Sequence, residues 1–370
     1  MKKDDRFLFN QKGREQLKAD LAEEDFARRI CSFYRYILID DPQALRDELY
    51  KEWFDLRILG RVYIAAEGIN AQISVPEPRW DQFLETLNSR AVLTSIPIKH
   101  AVQEGLSFLK LAIRIKQEIV AYNIPTNQYD MSYVGEHLDA VEFNEAIDNP
   151  DSIVVDMRNY YESEVGHFKT AIIPDVETSR DLLPKVRNLL KGQEEKEVLL
   201  YCTGGIRCEK ASAYLLHHGF KNVKQLNGGI IQYAHDVREQ QLNSKFIGSN
   251  FVFDDRLEER ITADVISVCH QCGTACDTHT DCMNQACHIL FIQCPDCKTT
   301  FNGCCSAACQ EFAALPLEKQ RLLRKDPEKV VSKTVHTARV KPRLTQYDSL
   351  IANIKGYKCS NLFPSSDHNS

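Results

Sequence analysis

The stretch Val198–Ser212, VLLYCTGGIRCEKAS, decides the fold of this chain. The apolar run Val198–Tyr201 is typical of a buried strand, a Gly-Gly loop follows Cys202, and a helical pattern resumes at Glu209. A cysteine at a strand end, on a tight loop that opens a helix, lies where backbone N–H groups and the helix dipole stabilise an anion. The same position stabilises the thiolate, which is the reactive form of cysteine. We therefore predict that this loop is the active site.

Strands and helices alternate on both sides of the loop, from about residue 137 to residue 237. Strands are predicted at Ile153–Val155, Val198–Tyr201 and Val223–Leu226. Helices are predicted at Ala140–Ile147, Asp181–Leu190 and Glu209–His217. This alternation is typical of an α/β domain with a parallel sheet, which binds its ligands at the carboxyl ends of the strands.

Residues 27–125 follow the order strand, helix, strand, strand, helix, strand, which indicates a ferredoxin-like α+β domain. A strand is predicted at Cys31–Ile39, and Asp41 and Pro42 start a helix that ends near Leu56. A second helix and a last strand are predicted at Glu77–Ser89 and Lys110–Ile115. The loop Ala66–Asn70 joins two paired strands, and it either reaches a substrate or is an ordinary connection.

The composition is that of a globular protein, with 43% hydrophobic and 26% charged residues among 370. The chain begins without the apolar run of a signal peptide, and no stretch is long enough to span a bilayer. We therefore expect a cytoplasmic protein with no membrane partner. The net charge of −6 argues against strong non-specific nucleic-acid binding, so no DNA partner is expected, although it does not exclude a local basic patch.

Ten of the 14 cysteines lie between positions 269 and 309. Clustered cysteine pairs in a reducing compartment favour metal binding, and a segment with so small an apolar core needs such a staple, so structural zinc is predicted. Several tetrahedral sets satisfy the same spacing, with iron–sulfur or metal-free cysteines as the alternatives. The candidate ligands are Cys269, Cys272, Cys276, Cys282, Cys287, Cys294, Cys297, Cys304, Cys305 and Cys309, with His270, His279 and His288 as further nitrogen donors.

Two motifs in the middle of the chain resemble the rhodanese family. The first is DMRNYYE (Asp156–Glu162), followed by Gly166-His167-Phe168; the second is CTGGIR (Cys202–Arg207), followed by Asn227–Ile230. The resemblance implies that Cys202 carries a thiolate or a persulfide within a cradle of backbone amides. The loop that forms this cradle contains Thr203, Gly204, Gly205 and Ile206.

The spacing Cys-x4-Arg is tighter than the Cys-x5-Arg loop of phosphatases of the related fold, so sulfur chemistry is favoured over phosphate chemistry. Arg207 is predicted to be catalytic, by stabilising the thiolate or orienting an anion; alternatively it tethers the loop through Asp156 or Glu162. Cys208 is either a resolving thiol for Cys202 or a small core residue, and we favour the core.

The whole chain resembles the bacterial rhodanese-related tRNA uridine hydroxylases. The match is carried by GRVYIAAEGIN (Gly60–Asn70), by Tyr201–Ser212 and by CHQCG (Cys269–Gly273). This resemblance implies oxygen-dependent 5-hydroxylation of the wobble uridine, with molecular oxygen as co-substrate and the tRNA anticodon loop as partner. Spacing and composition alone predict only a cysteine-dependent sulfurtransferase. A persulfide-based sulfurtransferase acting on RNA or a carrier protein is therefore the alternative, and a non-catalytic scaffold is the third candidate.

The resemblance also sets the expected domain order. The segments are an N-terminal arm (1–26), a ferredoxin-like, acylphosphatase-like domain (27–125), a rhodanese domain (126–245), a cysteine-rich zinc segment (246–315) and a basic helix with a disordered tail (316–370). The basic run 319–343 is either a tRNA-backbone contact or a solvated helix. Tyr34, Tyr36 and Tyr63 either stack on unpaired bases or pack in the core. As a chemical hypothesis, Cys202 adds to C6 of uracil and makes C5 electron-rich toward oxygen.

Overall fold

The computed structural model describes residues 8–325, which form two compact units divided after Asp264. In the first unit the helices are α1 (Arg14–Ala22), α2 (Pro42–Asp55), α3 (Trp80–Asn88), α4 (Ala140–Asp148), α5 (Tyr160–Ser163), α6 (Ser179–Leu189), α7 (Ile206–His217) and α8 (Gly229–Glu239). Its strands are β1 (Arg28–Tyr36), β2 (Leu59–Ala65), β3 (Gly68–Pro76), β4 (Lys99–His100), β5 (Leu111–Ile115), β6 (Glu136–Leu138), β7 (Ile153–Asp156), β8 (Gly166–Phe168), β9 (Glu197–Tyr201), β10 (Asn222–Leu226), β11 (Phe246–Phe251) and β12 (Glu258–Arg260). The second unit contains β13 (His279–Asp281), β14 (Leu290–Ile292), α9 (Pro295–Thr300), α10 (Ala307–Ala313) and α11 (Leu317–Lys325).

The first domain is a five-stranded sheet in the order β4-β1-β3-β2-β5, with α2 and α3 on one face. The Asp41 side chain accepts the Ala44 N–H at 2.9 Å and starts α2, as predicted. Alternate residues of each strand point to opposite faces, so Phe33 packs on Trp53 and Phe83 in the core while Tyr34 faces away from it. This second face of the sheet turns toward the predicted active-site loop.

Two predicted elements of the first domain differ in detail from the structure. The first strand covers Arg28–Tyr36 rather than Cys31–Ile39, because its pairing with β3 ends at the Tyr36–Gly68 pair. The predicted helix Glu77–Ser89 begins as a 3-10 turn, Glu77–Arg79, and only then becomes α3. A proline within that first turn cannot donate a helical hydrogen bond, and it therefore suits a helix start.

The second domain contains a parallel sheet in the order β6-β10-β9-β7, with β9 in an interior position. Its residues are buried on both faces: Val198 and Leu200 pack with one core cluster, and Leu199 and Tyr201 pack with the other. An apolar run without alternation is what such a doubly covered strand requires. The parallel α/β architecture predicted from the sequence is confirmed.

Residues 246–264 belong to the first unit, whereas sequence patterns placed them in the cysteine-rich segment. The reason is strand pairing: β11 runs antiparallel to β8 and to β12, which ties this stretch to the second domain. As a result, residues that follow β11 approach the active-site loop.

The second unit, considered by itself, is small and built around cysteines. The hairpin β13-β14 supplies Ile289 and Phe291 to a core whose other buried members are cysteines. Helix α11 contains the start of the predicted basic run; the remainder of that run lies outside the described residues. Within residues 8–325, no helix combines the length and the apolarity that crossing a bilayer requires.

Candidate active site

Cys202 lies directly after β9 and is fully buried. The chain then turns through Thr203, Gly204 and Gly205 into α7, which begins at Ile206, earlier than predicted. Gly205 has a φ of +93°, a left-handed conformation that glycine adopts at little cost, and its N–H donates to Cys202 Sγ at 3.1 Å. The loop thus turns a backbone donor onto the sulfur, as the sequence predicted for an anion cradle.

The start of α8 is packed tightly against the back of this loop. Gly229 has a φ of +67°, and a Cβ atom there would lie 2.5 Å from the Cys202 carbonyl oxygen and 2.8 Å from the N–H nitrogens of Gly204 and Gly205. The Ile230 N–H donates to the Cys202 carbonyl at 3.0 Å. The Gly-Gly pair before α8 therefore serves a steric purpose, because only glycine permits this approach.

The surroundings of Cys202 favour its thiolate. Burial by itself raises the pKa of the Cys202 thiol. Three effects outweigh burial and lower the pKa to about 6: a hydrogen bond from Cys208, the charge of Arg207, and the N–H groups of Arg207 and Gly205. Burial and the neighbouring Cys202 raise the pKa of Cys208 well above its usual value, so Cys208 stays a thiol and donates. Neither role considered for Cys208 from the sequence included this hydrogen bond.

Arg207 does not extend toward open solvent. Its guanidinium forms a two-pronged ion pair with Glu162, at 2.6 Å and 2.8 Å, and also donates to Thr203 Oγ1 at 3.2 Å. This is the tether that we gave as the alternative role, and it leaves the Arg207 charge close to Cys202 but already neutralised. A substrate anion would have to compete with the Glu162 carboxylate for this arginine.

The first rhodanese motif forms a buried support under the loop. Asp156 accepts hydrogen bonds from Arg158, from the Tyr201 hydroxyl at 2.7 Å and from Ser163 at 2.8 Å. Although burial opposes ionisation, these donors, above all Arg158, keep the pKa of Asp156 below its usual value. Because Tyr201 is the last residue of β9, this network fixes the strand end from which Cys202 projects.

The first domain is bonded to the residues that follow the loop. The Tyr34 hydroxyl donates to Glu209 at 2.9 Å, and the Tyr36 hydroxyl donates to the Ile206 carbonyl at 3.2 Å. Lys210 is fully buried and pairs with Glu67 at 2.9 Å and with Glu118 at 3.0 Å. Glu67, in the loop for which a substrate contact was considered, therefore forms an interdomain ion pair, a role that single-sequence patterns do not reveal.

A cleft of about 310 Å³ lies between the sheet of the first domain and the Cys202 loop, at the lower end of the roughly 300–1,000 Å³ usual for small-ligand sites. Its first-domain wall is formed by paired residues of β1, β3 and β2, whose side chains share one sheet face. Phe253, which is 37% exposed, contributes an aromatic ring whose neighbour is the Arg207 guanidinium at 5.9 Å. The lining includes Tyr34, Tyr63, Arg61, Asn70, Gln72, Thr203, Gly204, Arg207 and Phe253.

In the second unit the structure gathers the cysteines into two groups of four. One group is Cys269, Cys272, Cys294 and Cys297; the other is Cys282, Cys287, Cys305 and Cys309; in each, the sulfur atoms lie within 4.8 Å of one another. Each group joins residues from distant parts of the segment, so the two sets interleave along the chain. Cys276 and Cys304, which were also candidate ligands, belong to neither group, and the same is true of His270, His279 and His288.

The interior strand of the parallel sheet ends in a buried cysteine thiolate, which a six-residue Cys-x4-Arg loop holds in place. These features define a rhodanese-domain protein with a reactive cysteine. Family models agree with this class: a UPF0176 acylphosphatase like domain matches residues 28–119, a rhodanese-like domain matches 139–236 and a rhodanese C-terminal domain matches 247–310.

Similar proteins identify the family within this class. A tRNA uridine(34) hydroxylase from Leptospira interrogans is 53% identical over 319 residues, 86% of this chain and 87% of that protein. A tRNA uridine(34) hydroxylase from Yersinia enterocolitica is 50% identical over 86% of this chain and 91% of its own length. Among solved structures, a rhodanese-like domain from Anabaena covers 30% of this chain and 78% of that chain, with a TM-score of 0.25 and 16% identity. The chain belongs to the tRNA uridine(34) hydroxylase family.

Proposed function

We propose that this protein is an oxidoreductase that hydroxylates C5 of the wobble uridine of tRNA with molecular oxygen, using Cys202 as the nucleophile. The observation that carries the proposal is the loop that turns the Gly205 N–H onto the Cys202 sulfur at 3.1 Å and borders a cleft of about 310 Å³. The pKa of Cys202, lowered to about 6, agrees with this geometry. The names of its relatives identify the reaction class. The cleft joins two domains, and a site of this kind suits one nucleotide of a larger RNA better than a small sulfur donor.

The lining of the cleft supports an unpaired base as the ligand. Proteins that read single-stranded RNA stack bases on aromatic side chains and bond their edges. Phe253 is a partly exposed aromatic beside the loop, and Asn70 and Gln72 present amides from the opposite wall. We propose that the wobble uracil leaves the anticodon stack, lies against Phe253 and places C6 over the Cys202 sulfur.

The proposed reaction consumes one molecule of oxygen and two electrons from a thiol reductant for each uridine. The Cys202 sulfur, as thiolate or persulfide, bonds to C6, and the electron pair of the C5=C6 bond moves onto O4 as an enolate. That pair returns through C5 to form a C–O bond to molecular oxygen, and protonation gives a C5 hydroperoxide. Two electrons and two protons from an external thiol reductant cleave the O–O bond, leaving a C5 hydroxyl and water. Loss of the C5 proton and departure of the sulfur restore uracil aromaticity and free Cys202.

We propose further that each group of four cysteines holds one structural zinc ion. Tetrahedral zinc with bonds of about 2.3 Å to sulfur places its ligands about 3.8 Å apart. The sulfur–sulfur separations of 3.6 Å for Cys272–Cys294, 3.7 Å for Cys287–Cys305 and 3.6 Å for Cys305–Cys309 fit this arrangement. An all-cysteine set without an open position is typical of a structural site. Two interleaved sites would supply the stability that a core of two large apolar side chains cannot.

A persulfide sulfurtransferase is the second candidate, because the short cradle around Cys202 suits a persulfide as well as a thiolate. The two functions are distinguished by the nucleosides of cells that lack the gene. Hydroxylation predicts the loss of 5-hydroxyuridine at the wobble position of tRNA, restored by the wild-type gene and not by Cys202→Ser. Loss of a thiolated nucleoside, or full restoration by Cys202→Ser, would contradict the proposal.

A further inference from the structure

The proposed reaction places a negative charge on the uracil, and the charge needs a partner in the cleft. When Cys202 adds to C6, the displaced electron pair comes to rest on O4. Arg207 is poorly suited to receive it, because both arms of its guanidinium are bonded to Glu162. Arg61 also lines the cleft, but its side chain is exposed, which suits a phosphate more than a buried enolate.

Arg256, the third cation of the cleft lining, is already bonded to Asp254 and Glu259. Lys99, on the edge strand β4, is a further cation near the loop. The strand pairs directly with β1, so that Lys99 lies opposite Ser32, and Ser32 lies opposite Gln72. Directly paired residues project from the same sheet face, and Gln72 lines the cleft. Lys99 therefore belongs to the face that meets the active-site loop.

Contacts place the Lys99 side chain at the mouth of the loop. Its Nζ lies 4.4 Å from the centre of the Tyr34 ring, and a Cβ atom at Gly205 would lie 2.9 Å from the hydroxyl of that tyrosine. A Cβ atom at Gly228 would lie 3.3 Å from Lys99 Cε, and Gly228 precedes the glycine that packs on the loop. Among residues 8–325, no carboxylate lies within ion-pair distance of the Lys99 ammonium. Lys99 is thus a half-buried cation without a direct anionic partner.

Electrostatics agree with this placement. Burial lowers the pKa of Lys99, whereas the negative charges of Cys202 and Glu209 oppose the shift. A preorganised cation in a partly dry site stabilises a developing charge more strongly than water does.

We propose that Lys99 is a catalytic residue of the reaction, whose ammonium group donates a hydrogen bond to the uracil O4 as Cys202 bonds to C6. The step needs no additional reactant: the S–C6 bond forms, the C5=C6 pair moves to O4, and the Lys99 proton stays on nitrogen while it is shared. The inference rests on the proposed function and adds to it the residue that supports the enolate.

The test compares Lys99→Met, Lys99→Arg and Lys116→Met in the full chain, by single-turnover formation of 5-hydroxyuridine on an unmodified tRNA. Lys116 is a matched control because it also lies over a tyrosine of the first domain, at 5.3 Å from the Tyr63 ring. We expect Lys99→Met to lower the rate at saturating tRNA by about 100-fold or more, with little change in KM. Lys99→Arg should retain a rate within about tenfold of the wild type, and Lys116→Met should keep the saturating rate.

A second measurement distinguishes a direct effect of Lys99 from misfolding of the variant. The pH profile of Cys202 alkylation should shift to higher pH in Lys99→Met, with the same plateau as the wild type, because a nearby cation is lost while the loop remains intact. An unchanged hydroxylation rate in Lys99→Met, an equal loss in Lys116→Met, or a lowered alkylation plateau would overturn the inference. A wild-type protein that forms no 5-hydroxyuridine would instead overturn the proposed function and the inference with it.

Discussion

At the scale of single residues, the site combines a thiolate with donors that were not all visible in the sequence. Cys202 and its loop were recognisable because the spacing of cysteine, glycines and arginine is local. The hydrogen bond from Cys208 was not, since it depends on how the first turn of α7 lies over the loop. Phe253 was also missed, because it comes from the stretch after β11 that reaches the site only through strand pairing.

The Cys208 thiol is expected to set the ionisation of Cys202. In Cys208→Ala the donor is lost, so the pKa of Cys202 should rise from about 6, and the fraction of thiolate near neutral pH should fall. The midpoint of the pH profile of iodoacetamide alkylation should shift upward by the same amount. Cys31→Ala, which removes a buried cysteine from the first domain, serves as the control and should leave the midpoint unchanged. An unshifted midpoint in Cys208→Ala would contradict this role.

Phe253 is expected to act in binding. Stacking of a base on an aromatic ring contributes about 1–3 kcal/mol, so Phe253→Ala should raise KM for tRNA about 5- to 150-fold, while Phe253→Tyr should retain most of the affinity. Phe54→Ala is the matched control, because Phe54 is 61% exposed on α2, away from the cleft. Equal KM values for Phe253→Ala and the wild type would exclude the stacking role.

At the scale of elements, α7 is both the support of the catalytic loop and the contact for the first domain. Its first turn carries Arg207, which holds the loop to Glu162, and the next residues, Glu209 and Lys210, bond to Tyr34 and to Glu67. The cysteine and the opposite wall of the cleft are thus held by one helix. Any shift of the first domain would be transmitted to the loop.

The buried Lys210 pair should be a major contribution to this arrangement. Lys210→Met would leave Glu67 and Glu118 facing an uncharged side chain, and breaking a buried ion pair from one side costs about 3 kcal/mol in the free energy of unfolding. Lys224→Met removes a more exposed pair with Glu197 and should cost about 1 kcal/mol or less. Urea unfolding followed by circular dichroism measures both free energies, and equal destabilisation would contradict a larger contribution from the buried Lys210 pair.

The two cysteine groups make a direct prediction for metal content. Mass spectrometry of the purified full chain for metals should give about two zinc ions per molecule, and Cys305→Ser should lose one of them, since it removes a ligand from one group of four. Cys304→Ser is the neighbouring control and should keep both ions, because Cys304 lies in neither group. Zinc loss in Cys304→Ser, or full content in Cys305→Ser, would contradict the assignment.

At the scale of the whole molecule, features set by local sequence patterns were predictable, and features set by contacts between distant segments were not. The order of strands and helices, the parallel sheet and the Cys202 loop all follow from stretches of about ten residues. The ligand sets in the cysteine-rich segment could not be predicted, because each set joins pairs of cysteines more than ten positions apart and several combinations satisfy the same spacing. The role of Glu67 and the position of residues 246–264 were likewise hidden, since both depend on pairing between distant segments.

The central claim is that a cysteine thiolate directs molecular oxygen to C5 of a tRNA uridine, and it is tested most directly with labelled oxygen. Purified full-length protein, unmodified tRNA and a thiol reductant are incubated under 18O2, and the nucleosides are analysed by mass spectrometry. The account predicts 5-hydroxyuridine that carries 18O at the wobble position, absent under anaerobic conditions and absent with Cys202→Ser. A hydroxyl oxygen derived from water, undiminished product with Cys202→Ser, or a thiolated nucleoside in its place would contradict it.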